Sequence, residues 1–155
     1  MDELWQAVVS DSVRPGLPAF FPERAYLQVK TLGDPAYDWR IRLLLDYRLD
    51  IGGAHRFVGS DATSAQLVGV RVPEAYAHWV DPGACYNRVG YWEVPNARVV
   101  FREGRHVRSF GIASMISWRG VWYVIHLGAT FRVGNIPVLD DPADGPGTSA
   151  PSSSC

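Results

Sequence analysis

The sequence predicts an α+β domain, with N-terminal helices packed on a curved antiparallel sheet. Helix-start signals fall in the first half of the chain, and period-two alternation begins only at Ala65. The late stretch "SMISWRGVWYVIHLG", Ser114 to Gly128, reads as two strands that are apolar on both faces. At 155 residues the chain suits one domain, and 47% hydrophobic with 20% charged residues argues for a packed core over a disordered chain.

Asp2 to Ser10 is a short amphipathic stretch with acids at its start, where they favour the helix dipole, and Pro15 to Pro18 breaks it. A second helix is expected from Pro22 to about Leu32, stopped by Gly33. The third has the clearest start: Asp34 can cap it and Pro35 suits its first position. It should run to about Ile51, where Gly52-Gly53 ends it, with Ala54 to Val58 resuming as a turn of helix. Beyond Ala65 the expected strands are Ala65–Val72, Tyr86–Val94 and Arg98–Arg102, with turns at Pro95-Asn96 and Glu103-Gly104. Glu74 to Trp79 fits neither period. From Gly134 the chain is rich in Pro, Gly, Ser and Asp, so residues 1–133 are expected to form the domain and 134–155 a disordered tail.

With Arg119-Gly120 as a two-residue loop, Trp118, Ile116, Ser114 and Ile112 fall opposite Val121, Tyr123, Ile125 and Leu127. The other face then holds Ser117, Trp122, Met115, Val124, Ala113 and His126. A solvated face would carry Lys, Glu or Thr. Met115, Trp122, Val124 and His126 are therefore expected at an interface, with a second copy of the chain covering them.

Helices first, then a curved sheet closing on the Trp-bearing "RGVWYVIHLG", resembles the cone-shaped α+β fold shared by nuclear transport factor, ketosteroid isomerase and polyketide cyclases. The resemblance spans roughly residues 20 to 130. It implies helices in the concave face of the sheet, a pocket between them, and dimerisation through the outer sheet face. The group includes enzymes and non-catalytic binders alike.

Composition narrows the partners. A net charge of −1 supplies no positive field for nucleic acid or anionic lipid. No apolar run reaches membrane-span length and the acidic start is unlike a secretory signal, so a cytoplasmic protein is expected. Of fifteen lysines and arginines only Lys30 is a lysine. Cys85 reads as a small buried hydrophobe and Cys155 as exposed. No metal-ligand spacing and no cofactor signature occurs.

An isomerase-type site needs a carboxylate base and a hydrogen-bond donor in an apolar cavity. Asp50 and Tyr47, three apart on one helix face, are the weak candidates, since Arg42 and Arg48 more simply make these acids part of a solvated charged face. "CYNRVGYWEVPN" interleaves Tyr86, Tyr91 and Trp92 with Asn87, Arg88 and Glu93, the mixture a ligand mouth needs and also one that strand packing uses. Tyr123 joins them as a candidate from the hairpin. The expected function is binding of an apolar small molecule or a partner chain. The alternative is an isomerase, dehydratase or cyclase acting in the same pocket.

Overall fold

The computed structural model describes residues 1–59 and 62–151; Ser60, Asp61 and residues 152–155, Cys155 among them, lie outside the described residues. The chain folds as α+β, N-terminal helices against a six-stranded antiparallel sheet that is curved and unclosed. Among the described residues no helix is long and apolar enough to cross a membrane.

Helix α1 (Asp2–Val9) buries Leu4, Trp5, Ala7 and Val8. The short α2 (Val13–Gly16) follows, then α3 (Glu23–Val29). Asp34 caps α4 (Pro35–Asp38) as expected, its Oδ1 accepting from the Tyr37 amide at 2.9 Å. The helix then widens into a π-turn at Trp39–Leu43 and continues as α5 (Leu44–Val58). It passes through Gly52-Gly53, where the sequence predicts a stop. A Cβ on Gly53 would stand 3.2 Å from the Pro137 side chain, so glycine there lets the C-terminal segment approach the helix. Gly59, at φ +100°, ends it.

The strands are β1 (Gln66–Arg71), β2 (His78–Val80), β3 (Tyr91–Glu103), β4 (His106–Trp118), β5 (Val121–His126) and β6 (Asp140–Asp144). Central β3 pairs with β1 and β2 along one edge and with β4 along the other; β4 also carries β5 and β6. Pro95-Asn96 is no turn: β3 runs through it, with Asn96 held at φ +52° inside the strand. The rings of Trp5 and Phe57 reach Phe101, which identifies the helix-covered face. By alternation Val99 shares that face, while Arg98 and Val100 point away from it.

The β4–β5 loop is as expected, with Arg119 at φ +52° and Gly120 at φ +80°, the pair of left-handed residues a two-residue hairpin needs. Pairing follows from Trp118–Val121 to Met115–Val124, and then the register shifts so that Ser114 faces His126 instead of Ile125. One extra residue on β5 reverses the side-chain phase beyond it. His126, expected on the outer face, therefore stands on the helix side beside Ser114.

Met115 and Val124, at 1% and 0% exposure, belong to the chain's own core. Phe20 bridges to Val124, whose carbonyl accepts from the Phe21 amide at 2.9 Å, so the free side of β5 is covered from within the chain. Their burial needs no second subunit. The segment expected to be a disordered tail also contains structure: β6 pairs with β4, and the residues after it bind the outer face of the sheet. Arg98, 1% exposed, donates to the Asp141 carboxylate at 2.6 Å, the Asp141 carbonyl at 2.7 Å and Ser109 Oγ at 2.7 Å. Ser149 Oγ donates to the Asn96 carbonyl at 2.6 Å. Composition indicated a weak core-former; cross-strand pairing and one buried cation supply what apolar burial does not.

Candidate functional site

A cavity of about 60 Å³ lies between α3, the π-turn and the helix-covered face of β3, β4 and β5. That is room for about four waters or a molecule of similar bulk. Lys30, Arg42, Tyr91, Glu93, Ser114 and His126 bring polar groups to it, and Phe21, Ile116 and Ile125 supply apolar walls.

Strand alternation sets Tyr91 and Glu93 on one face, and the β5 bulge adds His126 next to Ser114. Glu93 is 2% exposed; Ser114 Oγ donates to its Oε1 at 2.6 Å, and His78 Nε2 lies 3.7 Å from its Oε2. The helical wall is built differently. Arg42 clamps Asp38 with two hydrogen bonds at 2.7 and 2.6 Å, and the Tyr26 hydroxyl donates to the same carboxylate. Burial works to raise the pKa of Asp38, but the bonds from Arg42 and Tyr26 outweigh it and hold the carboxyl below its ordinary value. Asp38 is thus committed to Arg42 and Tyr26.

Lys30, just beyond α3, donates from Nζ to the Cys85 carbonyl at 2.9 Å. Burial, then the charge of Arg42, lowers its pKa, while Asp38 and Glu93 act the other way. His126 is pushed down to about 3, first by burial and then by the positive charges of Arg42, Lys30 and Arg132, against Asp38. Its imidazole is neutral near pH 7 and accepts or donates a hydrogen bond without carrying charge. Burial raises the Tyr91 phenol, which stays protonated. The cavity therefore combines a carboxyl group, a neutral imidazole, a phenol and an amine whose basicity is reduced. Among the described residues no cluster suits a metal ion.

Of the residues expected to bind ligand, only Tyr91 lines this cavity. Tyr86 is 69% exposed, Trp92 stands half-exposed on the outer face against Trp79, and the Tyr123 ring packs on Phe21. Asp50 and Tyr47 stand outside it as well. Asp50 accepts from the Gly128 and Val138 amides, each at 2.9 Å, and from Arg132 at 2.9 and 2.8 Å, which ties the C-terminal segment to α5. Tyr47 stacks on Phe20 at 4.3 Å and donates to the Gly16 carbonyl at 3.0 Å. Cys85 is half-buried in left-handed backbone, where a small buried hydrophobe was expected, and Cys155 lies outside the described residues.

Glu93 was legible, since its parity with Tyr91 inside the aromatic segment places both on one face. Lys30 stood out as the lone lysine. His126 was not legible, because nothing local in "YVIHLG" announces the bulge that turns it inward. No family model matches this chain, and the comparisons with curated proteins and with solved structures likewise return no similar protein.

Proposed function

We propose that this chain binds a small molecule in the cavity between its helices and its sheet, as the cone-like α+β group it resembles does. One observation carries the reading: the cavity brings Glu93, His126 and Lys30 from three separate parts of the chain to one partly open space. Buried polar groups are normally satisfied within the protein, and their convergence on open space is the mark of a ligand site. The ligand expected from sequence was apolar; this lining favours one of a few non-hydrogen atoms with a polar group at each end.

A second reading, an isomerase, dehydratase or cyclase, draws on the same lining, because a carboxylate and uncharged donors side by side can move a proton. Glu93 and Tyr91 take the roles first given to Asp50 and Tyr47. A homodimer through the sheet would use the open part of the outer face around Trp79 and Trp92. A cytoplasmic location rests on the sequence.

The test is a ligand-detected NMR screen of small amides, carboxylates and carbonyl compounds, repeated on Ile116→Phe, which fills the cavity from its apolar wall. A hit that Ile116→Phe loses supports the site. A hit that binds the variant with unchanged affinity refutes it.

A further inference from the structure

The chain meets its need for positive charge with arginine everywhere except at position 30. Lysine and arginine both supply positive charge at a surface, but only lysine can shed its proton and act as an amine. The one lysine lines the cavity. Among the described residues it forms no ion pair: Asp38, the acid on the facing helical wall, is held by Arg42 and Tyr26. The Cys85 carbonyl fixes one N–H of Lys30 at 2.9 Å, and Arg88 Nη2 binds the Lys30 carbonyl at 2.8 Å, so the backbone at the root of the side chain is fixed too.

We propose that Lys30 is a nucleophilic amine that forms a Schiff base with a small aldehyde or ketone bound in the cavity. This deepens the ligand-binding reading and rests on it. The nitrogen lone pair of Lys30 adds to the carbonyl carbon, forming the C–N bond as the C=O π pair moves to oxygen. Two protons pass from nitrogen to the oxygen by way of the Glu93 carboxylate or the neutral His126 imidazole, one shed as the ammonium becomes the free amine and one released by the adduct. That oxygen departs as water when the C–O bond breaks, leaving a protonated imine. The net change is ammonium plus carbonyl to protonated imine plus water, with no oxidant or reductant consumed.

The groups facing Lys30 favour this role. Burial and Arg42 both shift it toward the free amine, while Asp38 and Glu93 oppose them. The Glu93 charge that opposes proton loss in the resting site is the one that stabilises the cationic imine once it forms. The space of about 60 Å³ limits the carbonyl compound to a few non-hydrogen atoms.

The experiment is reductive trapping of the folded full chain with acetaldehyde and cyanoborohydride, with peptide mass mapping of the two primary amines, Lys30 and the chain's α-amino group. In the folded protein Lys30 should be modified faster than the α-amine. In guanidinium the order should reverse, because the α-amine is ordinarily the weaker base and hence the more abundant free amine. Ile116→Phe, which leaves Lys30 in place, should lose the folded-state advantage, and Lys30→Arg should lose the adduct while keeping its far-ultraviolet circular dichroism. Faster modification of the α-amine in the folded protein, or a Lys30 advantage undiminished in Ile116→Phe, overturns the proposal. Acetamide binding by ligand-detected NMR, lost in Ile116→Phe, separates the two readings: with no Lys30 advantage, the cavity stands and the imine falls.

Discussion

Glu93 and Arg98 sit five residues apart on β3, are 2% and 1% exposed, and point to opposite faces of the sheet. They are used in opposite ways. Arg98 is closed in by its own chain: Asp141 and Ser109 take its guanidinium protons, and Gly147 packs so close that a Cβ there would stand 2.2 Å from Nη2. Glu93 accepts from Ser114, has His78 Nε2 3.7 Å from its other oxygen, and lines the cavity. A buried charge whose surroundings are filled by the chain is a fastener, whereas one that lines a cavity borders the space a ligand would occupy.

The largest expected effect breaks the fastener. Arg98→Met removes the ion pair and leaves the acids of β6 without their cation, which should lower stability by about 2–3 kcal/mol in urea unfolding. The loss stays at the low end because Asp141 is 65% exposed and solvent already weakens the pair. Limited proteolysis should then cut within residues 139–151 before the domain itself.

Gly147→Ala attacks the same contact from the other side. Gly147 has φ +61° and no room for a Cβ, so about 1–2 kcal/mol should be lost, with the same early proteolysis. Gly145→Ala, also at positive φ but with no atom within 4 Å of the added carbon, isolates the backbone part of that loss.

The two faces should also titrate with opposite signs. His126 has its folded pKa depressed to about 3 against an ordinary 6.5, so its contribution is complete above pH 6.5 and is lost as pH falls toward 3. Asp140, at the start of β6, is raised by burial and then by Asp141, against Arg98. Its contribution is complete below its ordinary carboxyl range and is lost as pH rises through the raised value. His126→Gln should flatten the acid side of the stability–pH curve. Asp140→Asn should raise stability at pH 7 relative to the parent. The opposite outcome for either variant would show that burial does not set its protonation.

The smallest effect on stability belongs to Glu93→Gln, within about 1 kcal/mol, because the amide oxygen still accepts from Ser114 and a buried charge is removed. Its effect on ligand binding and on Lys30 trapping should be the largest of any single atom exchanged in the cavity. A stability loss as large as that of Arg98→Met would make Glu93 a fastener too.

Most of the architecture is legible in the sequence. The Asp34-Pro35 start, the Arg119-Gly120 loop and the alternation in β1 are local, and local sterics and hydrogen bonding decide them. The errors came from long-range contacts. Gly52-Gly53 reads as a stop only until Pro137 packs against the helix, and the acidic, Pro-rich end reads as disordered only until Arg98 receives it.

The sequence by itself determined the division into helices and sheet, the hairpin, and the isolation of Lys30 among arginines, because each is written in residue type and short-range spacing. Tertiary structure alone decided that His126 turns inward, that Asp50 and Tyr47 stand outside the cavity, and that Met115 and Val124 are sealed by their own chain. The physical reason is phase. A single extra residue in a strand reverses every side chain beyond it, and whether the strand takes that residue depends on what packs across the sheet.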